Sequence, residues 1–270
     1  MTTGWRPMSW QLSAAQWDVL TELLHIESYP APIQVQVHGR TDVERGRIRA
    51  QVVDELSRLG LLQGGRVEPD LEAALTLLRR PASWVDSVWL PGPEAEQPVR
   101  VVAAREAGTG VCARQHPDRP GETLLEAIPA TGLAAAVVGK LPPHPPGKSP
   151  AVSLAPPPSA AQRSQPDGGL MVSASTAQTS AERDRSAAAA ILERPHSRAG
   201  QIAANVRDPS GRVRRSEVLR WCDNPDGRYQ VTLRHQPDGA QWLTVTPADP
   251  RRLGDAVQQL LAVLHPHEHG

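Results

Sequence analysis

Two stretches of this chain match each other across the same element boundaries, and that constrains its fold more than any other feature. Leu77-Leu78-Arg79-Arg80-Pro81-Ala82-Ser83 is answered, at an offset of 114, by Ile191-Leu192-Glu193-Arg194-Pro195-His196-Ser197. Further on, Pro129-Ala130 is answered by Pro247-Ala248. Leu133, Ala136, Val137 and Leu141 are answered by Leu253, Ala256, Val257 and Leu261 at an offset of 120. Each half therefore reads as helix, R-P-x-S, about four strands, P-A, helix. The strands are short and joined by Gly/Pro/Asp turns, which predicts antiparallel hairpins rather than crossovers. The expected fold class is α+β: a pseudo-two-fold duplicated body with a central antiparallel sheet flanked by helices.

Local signals place the elements. Ser13 and Gln16 form a capping-box pair ahead of Trp17, Leu20, Leu23 and Leu24 at helical spacing, and MSWQL before them reads as a short edge strand. A second helix starts at Asp42, carries Ile48, Val52, Leu56 and Leu59 on one face, and stops at Gly60. A third runs from Pro69 to Arg80 and is stopped by Pro81. From Trp84 the period changes to two: SWVDSVWL, PVRVVAAR, TGVCARQ and ETLLEAI are predicted strands, followed by a helix in PATGLAAAVVGKL. In the second half, SAERDRSAAAAILERP is a predicted helix. GQIAANVR, RVRRSEVLRW, RYQVTLRH and QWLTVT are predicted strands, and a last helix opens at Asp249-Pro250.

Proline separates the halves. Residues 141–170 hold nine of the 27 prolines, among Ser, Gln and Gly, too little apolar surface to offset the ordering of the chain. The expected organisation is a first half over 1–140, a disordered linker over 141–179, a second half over 180–265 and a frayed tail over 266–270. On this reading, deletion of 145–175 leaves folding and binding nearly intact.

Charge and cysteine content exclude several classes. Lys+Arg and Asp+Glu are both 29, so the chain lacks the basic excess of a general nucleic-acid binder. Two cysteines, Cys112 and Cys222, cannot build a disulfide scaffold and fit a reduced cytosolic setting. The N-terminus lacks a signal-peptide pattern, and no run approaches 18 apolar residues.

Motifs for chemistry fail on context. Gly108-Thr109-Gly110-Val111-Cys112-Ala113 has dinucleotide-loop spacing, but RQHPDRPGE follows where a helix N-terminus has to hold the pyrophosphate. Gly147-Lys148-Ser149 lacks both the upstream glycine and the strand of a phosphate loop. His265, His267 and His269 read as a solvated tail. No nucleophile elbow, zinc-protease motif or carboxylate pair at catalytic spacing occurs, so no enzyme, cofactor or metal is expected. An alternative remains in residues 42–80, whose Arg45, Arg47 and Arg49 followed by a turn resemble a winged-helix DNA-binding regulator. Asp42, Glu44, Asp54 and Glu55 on the same helix favour a salt-bridged face instead. Phe is absent and Trp numbers seven, so tryptophan carries aromatic burial. Trp89, Trp221 and Trp242 are the candidates for a partner-binding face, where tryptophan is enriched.

Taken together, WQLSAAQWDVLTELL, the helical pair ending in LLRRP, and GRYQVTLRHQPDGAQWLTVTPADPRRLGDAVQQLL resemble the ESX (type VII) secretion-associated EspG family. The likeness spans roughly 10–140 and 180–265. It implies the same quasi-two-fold α+β body and a cytoplasmic, non-enzymatic chaperone without cofactor. It also implies a partner: the apolar tip of a helical secretion substrate of Pro-Glu/Pro-Pro-Glu (PE–PPE) type, masked and directed to the secretion machine. No nucleic-acid or membrane partner is implied, and a homodimer is admitted as a second association.

Overall fold

The computed structural model describes residues 8–154, 171–235 and 241–264. The first half opens with β1 (Ser9–Leu12) and α1 (Ala14–Leu23), then α2 (Asp42–Arg58), a small hairpin of β2 (Leu62–Gln63) and β3 (Arg66–Val67), and α3 (Pro69–Arg79). Four hairpin-linked strands follow: β4 (Ser83–Leu90), β5 (Val99–Glu106), β6 (Thr109–Gln115) and β7 (Thr123–Pro129). α4 (Leu133–Val138) closes this half. The second half holds β8 (Val152–Leu154), α5 (Met171–Leu192), β9 (Arg198–Arg207), β10 (Val213–Arg215), β11 (Leu219–Asn224), β12 (Gly227–His235), β13 (Gln241–Pro247) and α6 (Pro250–Leu264).

One antiparallel sheet unites both halves. Its order is β1-β7-β6-β5-β4-β9-β11-β12-β13-β8, with β10 also on β9. β4 and β9 meet at the centre with Ser83 opposite Val206 and Leu90 opposite Ala199. Outward from that pair the order is the same on both sides, ending in an edge strand supplied from ahead of its own half: β1 on β7, β8 on β13. The matched R-P-x-S and P-A segments fall at corresponding places in this order.

Side chains alternate across the sheet, so each strand feeds two cores. On one face α1, α2 and α3 pack over Trp84, Val102, Ala104, Val111, Ala113 and Leu125. On the other, α4 and α6 pack over Val85, Val101, Ala103, Ile202, Ala204, Leu219 and Trp221. Farther along the first face, the end of α5 covers Val152, Cys222, Tyr229 and Val245 through Ala188 and Ile191. The capping box of α1 forms as expected, Ser13 Oγ accepting from Gln16 N at 3.2 Å and Gln16 Oε1 accepting from Ser13 N at 3.1 Å.

Two expectations require correction. The expected linker over 141–179 is too wide. Residues 142–149 lie across the β11–β12 turn: Gly147 N donates to Arg228 O (2.9 Å), Arg228 N to Pro145 O (2.7 Å) and Lys148 N to Asp226 O (3.1 Å). β8 then adds an edge strand, and α5 begins at Met171 rather than 180. Proline fits here because the strap borrows hydrogen bonds from neighbouring backbone instead of making a ladder of its own. Residues 155–170 lie outside the described residues. The second correction concerns RVRRSEVLRW, which is not one regular strand. Arg215 faces Asn205 and Leu219 faces Ile202, so the β10–β11 side carries one residue more than β9 over this interval. This is a β-bulge at 216–218, fixed by Ser216 N donating to Ala204 O (2.9 Å) and Ser216 Oγ accepting from Ala204 N (3.0 Å).

Candidate functional site

The bulged segment lines an apolar concavity against α6. α6 starts where Pro250 occupies the first turn and Asp249 Oδ1 accepts from Arg252 N at 2.7 Å. Its apolar stripe buries Leu253, Val257 and Leu264 against the sheet. The helix ends under β10, where an Arg214 guanidinium N–H donates to Leu264 O. Between the exposed shoulder of that stripe and the bulged strand runs a groove of about 570 Å³. Val218, Leu219, Leu233, Ala256, Leu260 and Val263 give it an apolar lining, and Ser216, Glu217, Thr232 and Gln259 its polar edge. Val263 is 75% exposed and Leu233 37%, so apolar surface faces solvent here. A second depression of about 280 Å³ shares Glu217, Val218 and Leu233, and adds Arg220, Val231 and Leu243. The sequence carried a signal for it: Leu233 extends the alternation of β12, and Val263 is apolar beyond the buried stripe of α6.

The three tryptophans part company. Trp89 and Trp221 are buried, their rings 6.0 Å apart in the α4/α6 core. Neither offers surface to a partner, which overturns their candidacy. Gly200 lies opposite both, on the strand between them, and its missing side chain lets the two rings sink inward. Trp242 is 38% exposed on β13, next to Ser153, Ser180 and Asp184, outside the groove.

Residues that suggested chemistry are held in structural roles. Burial pushes the Cys112 thiol up to about 12 and the Cys222 thiol up to about 11, so neither is a nucleophile at neutral pH. Arg45 pairs with Asp18 and Glu22, and Arg49 donates to Glu22 at 3.0 Å, clamping α2 to α1. The Asp18 contact raises the Arg45 pKa further. Two of the three cations that a winged-helix reading directs to phosphate are thus committed within the fold. Deeper in the sheet, Asp86 takes Arg215 (2.6 Å) and Asn205 (2.7 Å). Asp223 takes the fully buried Arg228 (2.6 Å), whose guanidinium stacks 4.7 Å above Trp221. No group of three or more His, Cys, Asp or Glu among the described residues is arranged to hold a metal ion. No helix among them is long and apolar enough to cross a membrane. The Gln236–Gly239 turn and the histidine tail lie outside the described residues.

Comparison with known proteins agrees with this architecture. Residues 13–259 match the family model described as EspG family. Among solved structures, the chain is similar to the Mycobacterium tuberculosis type VII secretion system chaperone EspG5, solved in complex with a PE25–PPE41 dimer. The identity is 17% and the TM-score 0.66, over 94% of this chain and 96% of that one. No curated protein matches the chain.

Proposed function

This chain belongs to the EspG family, and on that premise we propose that it is a non-catalytic cytosolic chaperone. Its substrate on this reading is a helical type VII secretion heterodimer of PE–PPE type, whose apolar tip it covers before export. The observation that carries the reading is the solvent-facing apolar groove between α6 and the bulged strand, edged by Leu233 and Val263. A groove of this kind binds by shape and area removed from water, which is what masking an apolar end requires. The similar EspG5 structure supports it, since that chaperone was solved holding a PE–PPE dimer. The two halves of the sheet are, on the same reading, two copies of one unit, and Trp242 on the outer strands is a secondary contact.

The test is co-expression of the tagged chain with PE–PPE heterodimers from its own host, followed by size-exclusion chromatography. One heterodimer should co-elute with the wild-type chain. Leu233→Asp should abolish co-elution while the variant still elutes as a folded protein. Failure of every heterodimer to co-elute overturns the proposal.

A further inference from the structure

Arg220 is a charge that the fold does not use. It stands on β11, its register neighbours being Val231 on β12 and Gln201 on β9. Along the same row beyond Val231 come Val245 and Val152. Arg220 is exposed, and among the described residues no hydrogen bond or ion pair engages its guanidinium. Its neighbours in sequence differ: Arg214 caps α6 and Arg215 neutralises Asp86. Glu217, the carboxylate on the same rim, is already engaged within the chain. The depression around Arg220 is otherwise walled by Val218, Val231, Leu233 and Leu243. Any partner that covers these apolar residues also removes water from the guanidinium, and a desolvated charge needs an anion.

The end of a helical hairpin supplies one. It finishes one helix and starts the next. The finishing helix presents carbonyl oxygens at the negative end of its dipole, and the starting helix favours Asp at its cap and acidic side chains in its first turn. Resting on the chaperone reading above, we propose that Arg220 is a specificity residue: the docked tip carries an acidic side chain that pairs with Arg220, flanked by apolar side chains seated on Val218, Leu233 and Leu243. A bidentate guanidinium–carboxylate pair fixes the register of a contact that apolar packing alone leaves free to slide.

The experiment uses the host heterodimer that co-elutes with the full chain and measures its dissociation constant with wild type, Arg220→Gln, Arg220→Glu and Leu233→Asp. Arg220→Glu should weaken binding by at least about tenfold, because it sets like charges together in a covered site, and Arg220→Gln by less. Arginine in place of the tip carboxylate should restore binding to Arg220→Glu. Both Arg220 variants should melt close to the wild type, since the guanidinium has no hydrogen bond or ion pair to lose. Wild-type affinity in Arg220→Glu, with binding abolished in Leu233→Asp, overturns the charge proposal and leaves the chaperone reading standing. Wild-type affinity in both removes the groove as the docking site and this proposal with it. A dimer of the chain alone that Arg220→Glu dissociates shows that a second copy covers this face, which also overturns the proposal.

Discussion

Gly147 lies against the ring of Tyr229, so close that a Cβ on Gly147 would fall 2.1 Å from the ring carbon Cζ. Ser149 N donates to the Tyr229 hydroxyl at 3.0 Å, and Arg228 donates to Pro142 O at 2.8 Å. The proline strap is therefore part of the packed body. Gly147→Ala should destabilise the protein by about 1–3 kcal/mol, the range for forcing atoms into a filled core. Gly92→Ala, where the added methyl meets nothing within 4 Å, is the control and should be nearly neutral. Urea unfolding followed by tryptophan fluorescence measures both. Equal midpoints would show that the strap is detachable.

The strand between Trp89 and Trp221 permits only glycine. A Cβ on Gly200 would approach Trp89 Cβ at 2.4 Å and Trp221 Nε1 at 3.0 Å. Backbone and two large rings cannot yield together, so Gly200→Ala should also cost about 1–3 kcal/mol and alter the near-ultraviolet circular dichroism of the two indoles. An unchanged spectrum with unchanged stability would contradict the packing described.

Asp223 is fully buried and accepts from Arg228 Nε at 2.6 Å and from its Nη2 at 2.8 Å. Asp223→Ala leaves the Arg228 guanidinium buried without its counter-charge. The expected loss is about 3–5 kcal/mol, far more than the 0–1 kcal/mol or so expected for an exposed pair such as Arg58–Asp54. Thermal melts of Asp223→Ala and Asp54→Ala side by side check the contrast. Similar small shifts in both would mean that water reaches Arg228.

Local chemistry made much of this fold legible. The capping box of α1, the alternation from Ser83 to Pro129, and the Asp249-Pro250 start of α6 each carry their signal within a few residues, and the helices and strands fall there. What escaped depends on neighbours distant in sequence. β8 is three residues long in a proline-rich stretch and becomes a strand only because β13 offers an open edge. The bulge at 216–218 follows from a mismatch with β9 that RVRRSEVLRW alone does not reveal. Trp89 and Trp221 were candidates for a surface because tryptophan suits one. Gly200, more than a hundred residues from Trp89, decides that they are core. The groove was readable only in part, since Leu233 and Val263 gain meaning when α6 and β12 come side by side.

The buried thiols make an alkaline prediction whose sign can be worked out. Desolvation raises Cys112 to about 12 and Cys222 to about 11, from an ordinary value of 9.0. In the unfolded chain both thiols ionise as the pH passes about 9. In the folded chain they remain protonated until about 11–12, so over that interval the unfolded state binds fewer protons and gains. Stability from these groups is therefore whole below about pH 9 and is lost as pH rises toward 11–12. Tyr29, raised by burial from 10.0 to about 12, adds to the loss only above about pH 10. A Cys112→Ala/Cys222→Ala variant should be somewhat less stable at pH 7.5, from two small cavities, yet should lose less stability than wild type between pH 8.5 and 10. Urea midpoints across that range test the difference in slope. Parallel slopes would show that the thiols ionise as readily inside the protein as outside it.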